Sequence, residues 1–202
     1  MTVKQFLKSN AFKCILVLTC IALVASGLLA ILNDLLSVSD EERTARAIRS
    51  IYGEAVGYED LTASLDATYA SNEYGSIDNL YKLENGALMF KSTGKDGYKG
   101  GTVSLWVVAQ VDGNGDFVSF EKVVYAENSK QTLMSQFKQS TFDVYTVHND
   151  KIAEGGYWWV TADDAHVSNL VSGATKSSQA VNNAINSALY YLRNVRTGGD
   201  AQ

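Results

Sequence analysis

The sequence predicts an α+β fold in which one N-terminal transmembrane helix precedes an outer domain with an antiparallel sheet flanked by helices. Three observations predict it. Residues 14–32 form an uncharged apolar run, residues 81–125 alternate strand patterns with turn signals, and residues 178–192 repeat apolar side chains at helical spacing. An early helix, a run of antiparallel strands and a late helix together indicate an α+β domain.

The apolar run extends from Cys14 to Leu32 and is nineteen residues long. A helix of about 20 residues spans a bilayer. Three lysines precede the run and the first acidic residue, Asp34, follows it, so the positive-inside rule predicts a cytoplasmic N-terminus and an extracytoplasmic domain at the cell membrane. A cleaved signal peptide ending near residues 24–26 and a lipoprotein acylated at Cys20 are alternatives. The length of the run favours the single-pass anchor.

Charge and cysteine content exclude several classes of function. The net charge of −5 argues against a nucleic-acid-binding protein. Both cysteines, Cys14 and Cys20, lie in the apolar run, so the outer domain has no disulfide framework, no Cys-ligated metal and no cysteine nucleophile. The two histidines, His148 and His166, are too far apart in sequence to indicate a metal site. We therefore expect no metal and no autonomous catalytic residue.

The outer domain begins with a predicted helix over residues 39–52. Ser39 is the candidate N-cap, and Glu42 three residues later completes a capping-box pattern. Apolar residues recur at helical spacing through Ile51 and Tyr52. Residues 54–80 are polar with scattered tyrosines, and we expect a loop or a short helix there.

The middle of the domain predicts two hairpins. Residues 81–94 contain an Asn-Gly pair between two strand patterns, which is the strongest short hairpin signal. Alternation from Val103 to Val111 predicts a strand with one face in the core, and the turn Asp112–Asp116 leads to a second strand over 117–125. The turn "DGNGD" resembles the start of a calcium loop, but loop positions six and twelve hold Phe117 and Val123, so an ordinary turn is expected.

The last third of the chain predicts a short helix over 129–142, an aromatic strand over 155–163 and a helix over 178–192. In the last helix, apolar residues from Val181 to Leu192 share one face and the asparagines share the other. Residues 194–202 form a tail.

Immediately before this helix stands the stretch Ser172-Gly173-Ala174-Thr175-Lys176-Ser177-Ser178. Small residues that lead into a helix N-terminus let a ligand approach free backbone N–H groups, and the helix dipole favours an anion there. The hydroxyls and the lysine also suit a phosphate. The alternative is an ordinary helix start, with Ser177 or Ser178 as the N-cap.

This stretch resembles the flavinylation motif Ser-Gly-Ala-Thr-x-Ser/Thr-Ser of the FMN-binding domain family. The family includes the G subunit of the Rnf ion-translocating ferredoxin:NAD oxidoreductase and the C subunit of the sodium-translocating NADH:quinone oxidoreductase. The transmembrane helix, the turn Gly97-Tyr98-x-Gly100 and the C-terminal helix add to the likeness, and the length is closest to that of the Rnf subunit.

The resemblance implies that a flavin transferase joins the FMN phosphate to the Thr175 hydroxyl as a phosphoester. It places Ser172, Gly173, Ala174, Ser177, Ser178 and Glu127 at the cofactor site. The chain departs from the family at two points. Asn169 stands where the family usually has Asp, and residues 127–132, "ENSKQT", replace the Glu-Thr-Pro-Gly-Leu-Gly loop expected beside the flavin ring.

The implied organisation is a cytoplasmic N-terminus (1–13), a transmembrane helix (14–33), a lead-in with a hairpin (34–96), an FMN-binding core (97–193) and a tail (194–202). The implied function is electron transfer within an Rnf-type ion-translocating complex, with other membrane and flavin subunits as partners. A free-standing extracytoplasmic flavoprotein and a cofactor-free anchored binding domain are the alternatives.

Overall fold

The computed structural model describes residues 10–36, 39–147 and 170–195. The predicted aromatic strand at 155–163, both histidines, Asn169 and most of the tail lie outside these residues. The chain divides into two compact units, Met1–Ala45 and Arg46–Gln202.

The first unit contains helix α1, Asn10–Leu36. Its segment Phe12–Leu32 is long and apolar enough to cross a membrane, and none of it is buried in protein; a signal sequence has the same properties. The hydroxyls of Thr19 and Ser26 donate to the backbone oxygens of Ile15 and Ala22, so these two hydroxyls are satisfied within the helix. The predicted N-terminal apolar helix is confirmed.

Five strands form one antiparallel sheet in the order β1-β2-β3-β4-β5. They are β1 Tyr58–Asp60, β2 Gly75–Leu83, β3 Leu88–Gly94, β4 Val103–Val111 and β5 Phe117–Asn128. The connections between neighbours make this a meander, as the two hairpin signals predict. Gly86 supplies the positive φ of 85° in the first hairpin turn.

The turn between β4 and β5 uses the side chain that resembled a calcium ligand. Asp112 Oδ1 accepts hydrogen bonds from the backbone N–H groups of Asn114, at 2.8 Å, and Asp116, at 2.9 Å. Within the described ranges there is no group of three or more side chains suited to hold a metal ion. This carboxylate therefore stabilises the turn, as an Asx-turn does.

Five further helices accompany the sheet in the described residues. They are α2 Asp40–Tyr52, α3 Ala67–Ala70, α4 Gln139–Phe142, α5 Val144–Val147 and α6 Thr175–Asn194. Ser39 caps helix α2 as predicted: its Oγ accepts a hydrogen bond from the N–H of Glu42 at 3.2 Å.

One expectation about local structure was met only in part and another was wrong. Residues 54–80 contain the expected short helix, α3, but also β1 and the first six residues of β2, since pairing with β3 stabilises a strand whose sequence is too polar to predict one. Residues 129–142 do not form one helix. Lys130 has a φ of +60°, which a right-handed helix does not permit, and α4 begins only at Gln139.

Helix α6 packs on one face of the sheet and supplies much of the main core, with side chains from β3, β4 and β5. The other face carries a smaller cluster that includes Ala47, Ile48 and Ile51 of α2. Gly94 allows the close approach of α6, and Ser92 Oγ donates to Ala184 O at 2.6 Å across the same contact.

The polar side chains of α6 are buried as well as its apolar ones. Asn182, Asn186 and Ser187 are each at most 5% exposed. The hydroxyl of Tyr145 donates to Asn182 Oδ1, and Asn72 Nδ2 donates to Ser187 Oγ at 3.0 Å. Burial raises the pKa of Tyr145 well above the ordinary value for tyrosine. Both sides of the helix are therefore enclosed by protein, and Asn182 and Ser187 have internal hydrogen-bond partners there.

Candidate functional site: a cleft at the start of helix α6

The motif Ser172–Thr175 forms the turn from which α6 begins. Gly173 has a φ of +77°, and the N–H of Ala174 donates to Val171 O at 3.0 Å. Glycine is the residue that adopts this left-handed conformation without strain. Thr175 is the first residue of the helix, and its side chain is exposed, as are those of Ser172 and Lys176.

No serine caps this helix. The N-cap residue is Ala174, and among the described residues no side chain accepts a hydrogen bond there. Ser177 and Ser178 lie inside the first turns, because the helix begins three residues earlier than the sequence predicts. Both are buried. The interpretation of the motif as an ordinary N-cap formed by Ser177 or Ser178 was therefore wrong.

A cleft of about 280 Å³ opens beside Thr175. It brings together three segments that are far apart in sequence: the start of α6, the turn that contains Tyr98, and the loop that follows β5. Its lining residues are Tyr98, Thr132, Leu133, Gly173, Ala174, Thr175, Lys176 and Ser177. Lys176 is the charged side chain among them, so the cleft offers one positive group next to the exposed threonine.

Gln131 connects the three segments. Its Oε1 accepts hydrogen bonds from the backbone N–H of Tyr98, at 3.1 Å, and from Ser177 Oγ, at 2.8 Å. Its Nε2 donates to Ser129 O at 2.9 Å. A Cβ atom on Gly97 or on Gly101 would lie 2.6 Å from Nε2, so the turn that contains Tyr98 closes around this side chain only because glycine stands at both positions.

Tyr98 is 40% exposed and lies at the cleft. The ammonium group of Lys99 lies over its ring, 5.3 Å from the centroid, in a cation–π contact. Lys99 itself has a φ of +53°. A left-handed backbone at a non-glycine residue costs about 1–3 kcal/mol and is found more often at functional sites than elsewhere. The conformation of this turn is therefore held by its surroundings.

Glu127 is not part of the cleft. Its carboxylate pairs with Lys91 Nζ at 2.6 Å, and both side chains lie on the sheet face opposite α6, because Glu127 pairs with Ser104 and Lys91 pairs with Trp106. The residue of the divergent loop that lines the cleft is instead Thr132, and Gln131 beside it bonds to the other two segments. Sequence reasoning missed Gln131 because its partners lie 33 and 46 positions away along the chain.

Ser178 Oγ is a buried polar atom with no hydrogen-bond partner in the described structure. Ser178 is fully buried and lies in α6 three residues after Thr175. Orphaned buried hydroxyls are uncommon and call for a reason, such as a ligand or strain.

A larger cavity, of about 670 Å³, lies at the other end of the sheet, near the hairpin turns and the end of α6. None of the motif residues lines it. Size alone therefore does not select the site, and the smaller cleft is chosen because the motif residues Gly173 to Ser177 line it.

Comparison with known proteins adds no relative: no family model matches the chain, and neither a curated protein nor a solved structure matches it.

Proposed function

We propose that this protein is a membrane-anchored electron-transfer flavoprotein that carries FMN on Thr175. The observation that supports this most is the position of Thr175: it opens α6 with an exposed side chain at the edge of a cleft, and the serines that follow it do not cap the helix. A motif that served only to start the helix would use one of those hydroxyls as the cap.

The residues present fit a flavin phosphate. The first turn of an α-helix directs its backbone N–H groups outward, and the dipole of a twenty-residue helix favours negative charge at this end. Lys176 adds a positive side chain, and Gly173 has open space where a side chain would otherwise stand. The cleft volume lies just below the roughly 300 Å³ at which pockets begin to enclose a small ligand. A flavin ring held here would therefore stay partly exposed, as electron exchange with a partner requires.

Attachment needs a flavin nucleotide with an activated phosphate, which means a flavin joined through a pyrophosphate to a second nucleotide. In the attachment step the Thr175 hydroxyl oxygen forms the new P–O bond and gives up its proton. The pyrophosphate P–O bond breaks, and the nucleoside monophosphate leaves. The exposure of Thr175 makes its hydroxyl accessible to the transferase that catalyses this exchange.

The bound flavin supplies the redox chemistry. The chain supplies attachment through Thr175, positive charge through Lys176 and an aromatic wall through Tyr98. A phosphoester leaves the ring unmodified and prevents loss of the cofactor from an extracytoplasmic domain.

Two settings are consistent with this role: a subunit of an Rnf-type ion-translocating complex, and a free-standing carrier that passes electrons to an outside acceptor. The resemblance in length and topology favours the complex, with membrane and flavin subunits as partners. The loop around Gln131 favours the free-standing carrier, because the surface beside the cofactor differs from that of the family. Purification of the anchored chain from its native membrane distinguishes them, since co-purifying integral membrane subunits indicate the complex.

The test of the proposal is flavin fluorescence of the denatured full chain on a gel, after co-expression with a flavin transferase. We expect a fluorescent band in the wild type and in Thr132→Ala, a matched threonine in the same cleft, and none in Thr175→Ala. Mass analysis of the peptide that contains Thr175 should show the mass of an esterified FMN. A wild-type band without fluorescence, beside a control protein that the same transferase modifies, would reject the proposal and favour a cofactor-free anchored binding domain.

A further inference from the structure

Gln131 lies in the loop Asn128–Leu133, and its side chain forms hydrogen bonds with the other segments around the cleft. Both polar atoms of the Gln131 side chain are engaged, and its backbone N–H donates to Asn128 Oδ1 at 3.2 Å. A loop residue that contacts two other segments with one amide group is placed to set the distance between them.

From these contacts we propose that Gln131 is a positioning residue: it holds the turn that contains Tyr98 against the start of α6 and so sets the width of the cleft beside Thr175. The inference rests on the proposed function, because it assigns the cleft to a flavin ring. It also assigns Tyr98 as the wall that the ring faces.

Glutamine is suited to this position by its chemistry. One oxygen accepts from two donors, the Tyr98 N–H and the Ser177 hydroxyl, while the nitrogen donates to the Ser129 carbonyl. A glutamate would keep the two acceptor contacts but would place an oxygen against the Ser129 carbonyl. An alanine would lose all of them and would leave the buried Ser177 hydroxyl without its acceptor.

The glycines of the turn support the same assignment. Gly97 and Gly101 both lie against the Gln131 amide, and the N–H of Gly97 donates to Gly101 O at 2.9 Å. The turn is therefore closed on itself and built around the amide. In the described residues Asn183 Nδ2 of α6 donates to Lys95 O at 2.8 Å, just before the turn, but Gln131 is what links Tyr98 itself to the start of α6. Release of Gln131 therefore lets the Tyr98 ring move relative to Thr175.

The experiment uses the full chain in detergent, co-expressed with a flavin transferase, in four forms: wild type, Gln131→Ala, Tyr98→Leu and Gln136→Ala. Gln136 is an exposed glutamine of the same region and serves as the matched control. A tyrosine next to an excited flavin quenches its emission by donating an electron. We therefore compare flavin emission of the native protein with that of the same sample after denaturation.

We expect the denatured samples to emit equally, which reports equal attachment. In the native state the wild type and Gln136→Ala should be quenched, and quenching should be lost in Tyr98→Leu and in Gln131→Ala. Equal quenching in Gln131→Ala and wild type would overturn the proposal for Gln131, and equal quenching in Tyr98→Leu would overturn the assignment of Tyr98.

A second measurement tests the positioning role of Gln131 in a protein that carries no flavin. In the Thr175→Ala background, which carries no cofactor, amide hydrogen exchange at Tyr98 should be roughly fivefold faster or more in Gln131→Ala than in Gln136→Ala, since one hydrogen bond is lost. Unchanged exchange would reject the positioning role whether or not flavin binds. Absence of flavin from all denatured samples, with faster exchange at Tyr98, would reject the proposed function and the Tyr98 assignment but retain the structural clamp.

Discussion

Gly94 marks the closest approach of helix α6 to the sheet, and a single methyl group added there tests how firmly the helix is held. A Cβ atom at this position would lie 2.0 Å from the backbone oxygen of Ala180 and 2.3 Å from the backbone nitrogen of Ala184. Ordinary contact begins at 3.4 Å, so the helix backbone must retreat by about 1.4 Å, the difference between 3.4 and 2.0 Å. Backbone atoms cannot rotate away as a side chain can.

The cost of Gly94→Ala has two parts. Overpacking in a well-packed core costs about 1–3 kcal/mol. The same shift breaks the hydrogen bond from Ser92 Oγ to Ala184 O, and a buried hydroxyl without a partner costs about 1–3 kcal/mol. The sum, about 2–6 kcal/mol, is a large part of the roughly 5–15 kcal/mol that stabilises a typical domain.

The assay is thermal unfolding of the full chain in detergent, followed by circular dichroism. For a unit of this size we expect the melting temperature to fall by roughly 10 °C. Gly113→Ala is the matched control, because a Cβ there meets nothing within 4 Å and the backbone is not left-handed. Equal melting temperatures for Gly94→Ala and Gly113→Ala would refute the close packing of α6 against β3.

Two further predictions concern single side chains. Burial raises the pKa of Tyr145, so as pH rises the hydroxyl proton is lost from the unfolded chain before it is lost from the folded one. The free energy of unfolding should therefore fall above pH ~10, by about 1.4 kcal/mol per pH unit, until the folded pKa is reached. Urea titrations at several pH values should show this fall, and Tyr145→Phe should reduce it. Glu127→Gln should lower stability by less than about 1 kcal/mol, because the Glu127 side chain of its ion pair with Lys91 is 63% exposed, and should leave flavin attachment unchanged. Loss of gel fluorescence in Glu127→Gln would show that this residue acts at the site after all.

Sequence periodicity predicted the elements whose signals are local. The Asn85-Gly86 turn and the capping residue Ser39 each act within a few residues, and the structure has the hairpin and the helix start where these signals indicate. The strand at Gly75–Leu83 is different. Its first half is polar, and it is a strand because β3 pairs with it, which no pattern within the segment reveals.

The cleft likewise combines features that a local pattern reveals with contacts between residues far apart in sequence. The motif at Thr175 and the glycine-rich turn at Tyr98 are visible in the sequence, but their proximity is not. Gln131 could not be selected either, since a glutamine in a polar loop has no distinguishing pattern until its partners are placed around it. Glu127 is the reverse case: the family loop predicts it at the cofactor site, whereas strand pairing turns its side chain to the face opposite α6.

Ser178 provides the last test, because its buried hydroxyl has no partner in the described structure while that of its neighbour does. Ser178→Ala removes the orphaned group and improves helix propensity, so the flavin-free chain should gain about 1–2 kcal/mol. Ser177→Ala removes a hydrogen bond to Gln131 and should lose about 1 kcal/mol, so the two variants should differ in sign in the same thermal melts.

A loss in Ser178→Ala equal to that in Ser177→Ala would show that the Ser178 hydroxyl is satisfied and that the reasoning is wrong. If the gain is found, the chain keeps a hydroxyl that reduces its stability one turn from the proposed flavin anchor. Departures of this kind are expected at functional sites, where residues are retained for a ligand and not for folding. Repeating the melts after flavin attachment then decides the role of the hydroxyl: a smaller gain assigns it to the cofactor site, and an unchanged gain removes it from that site.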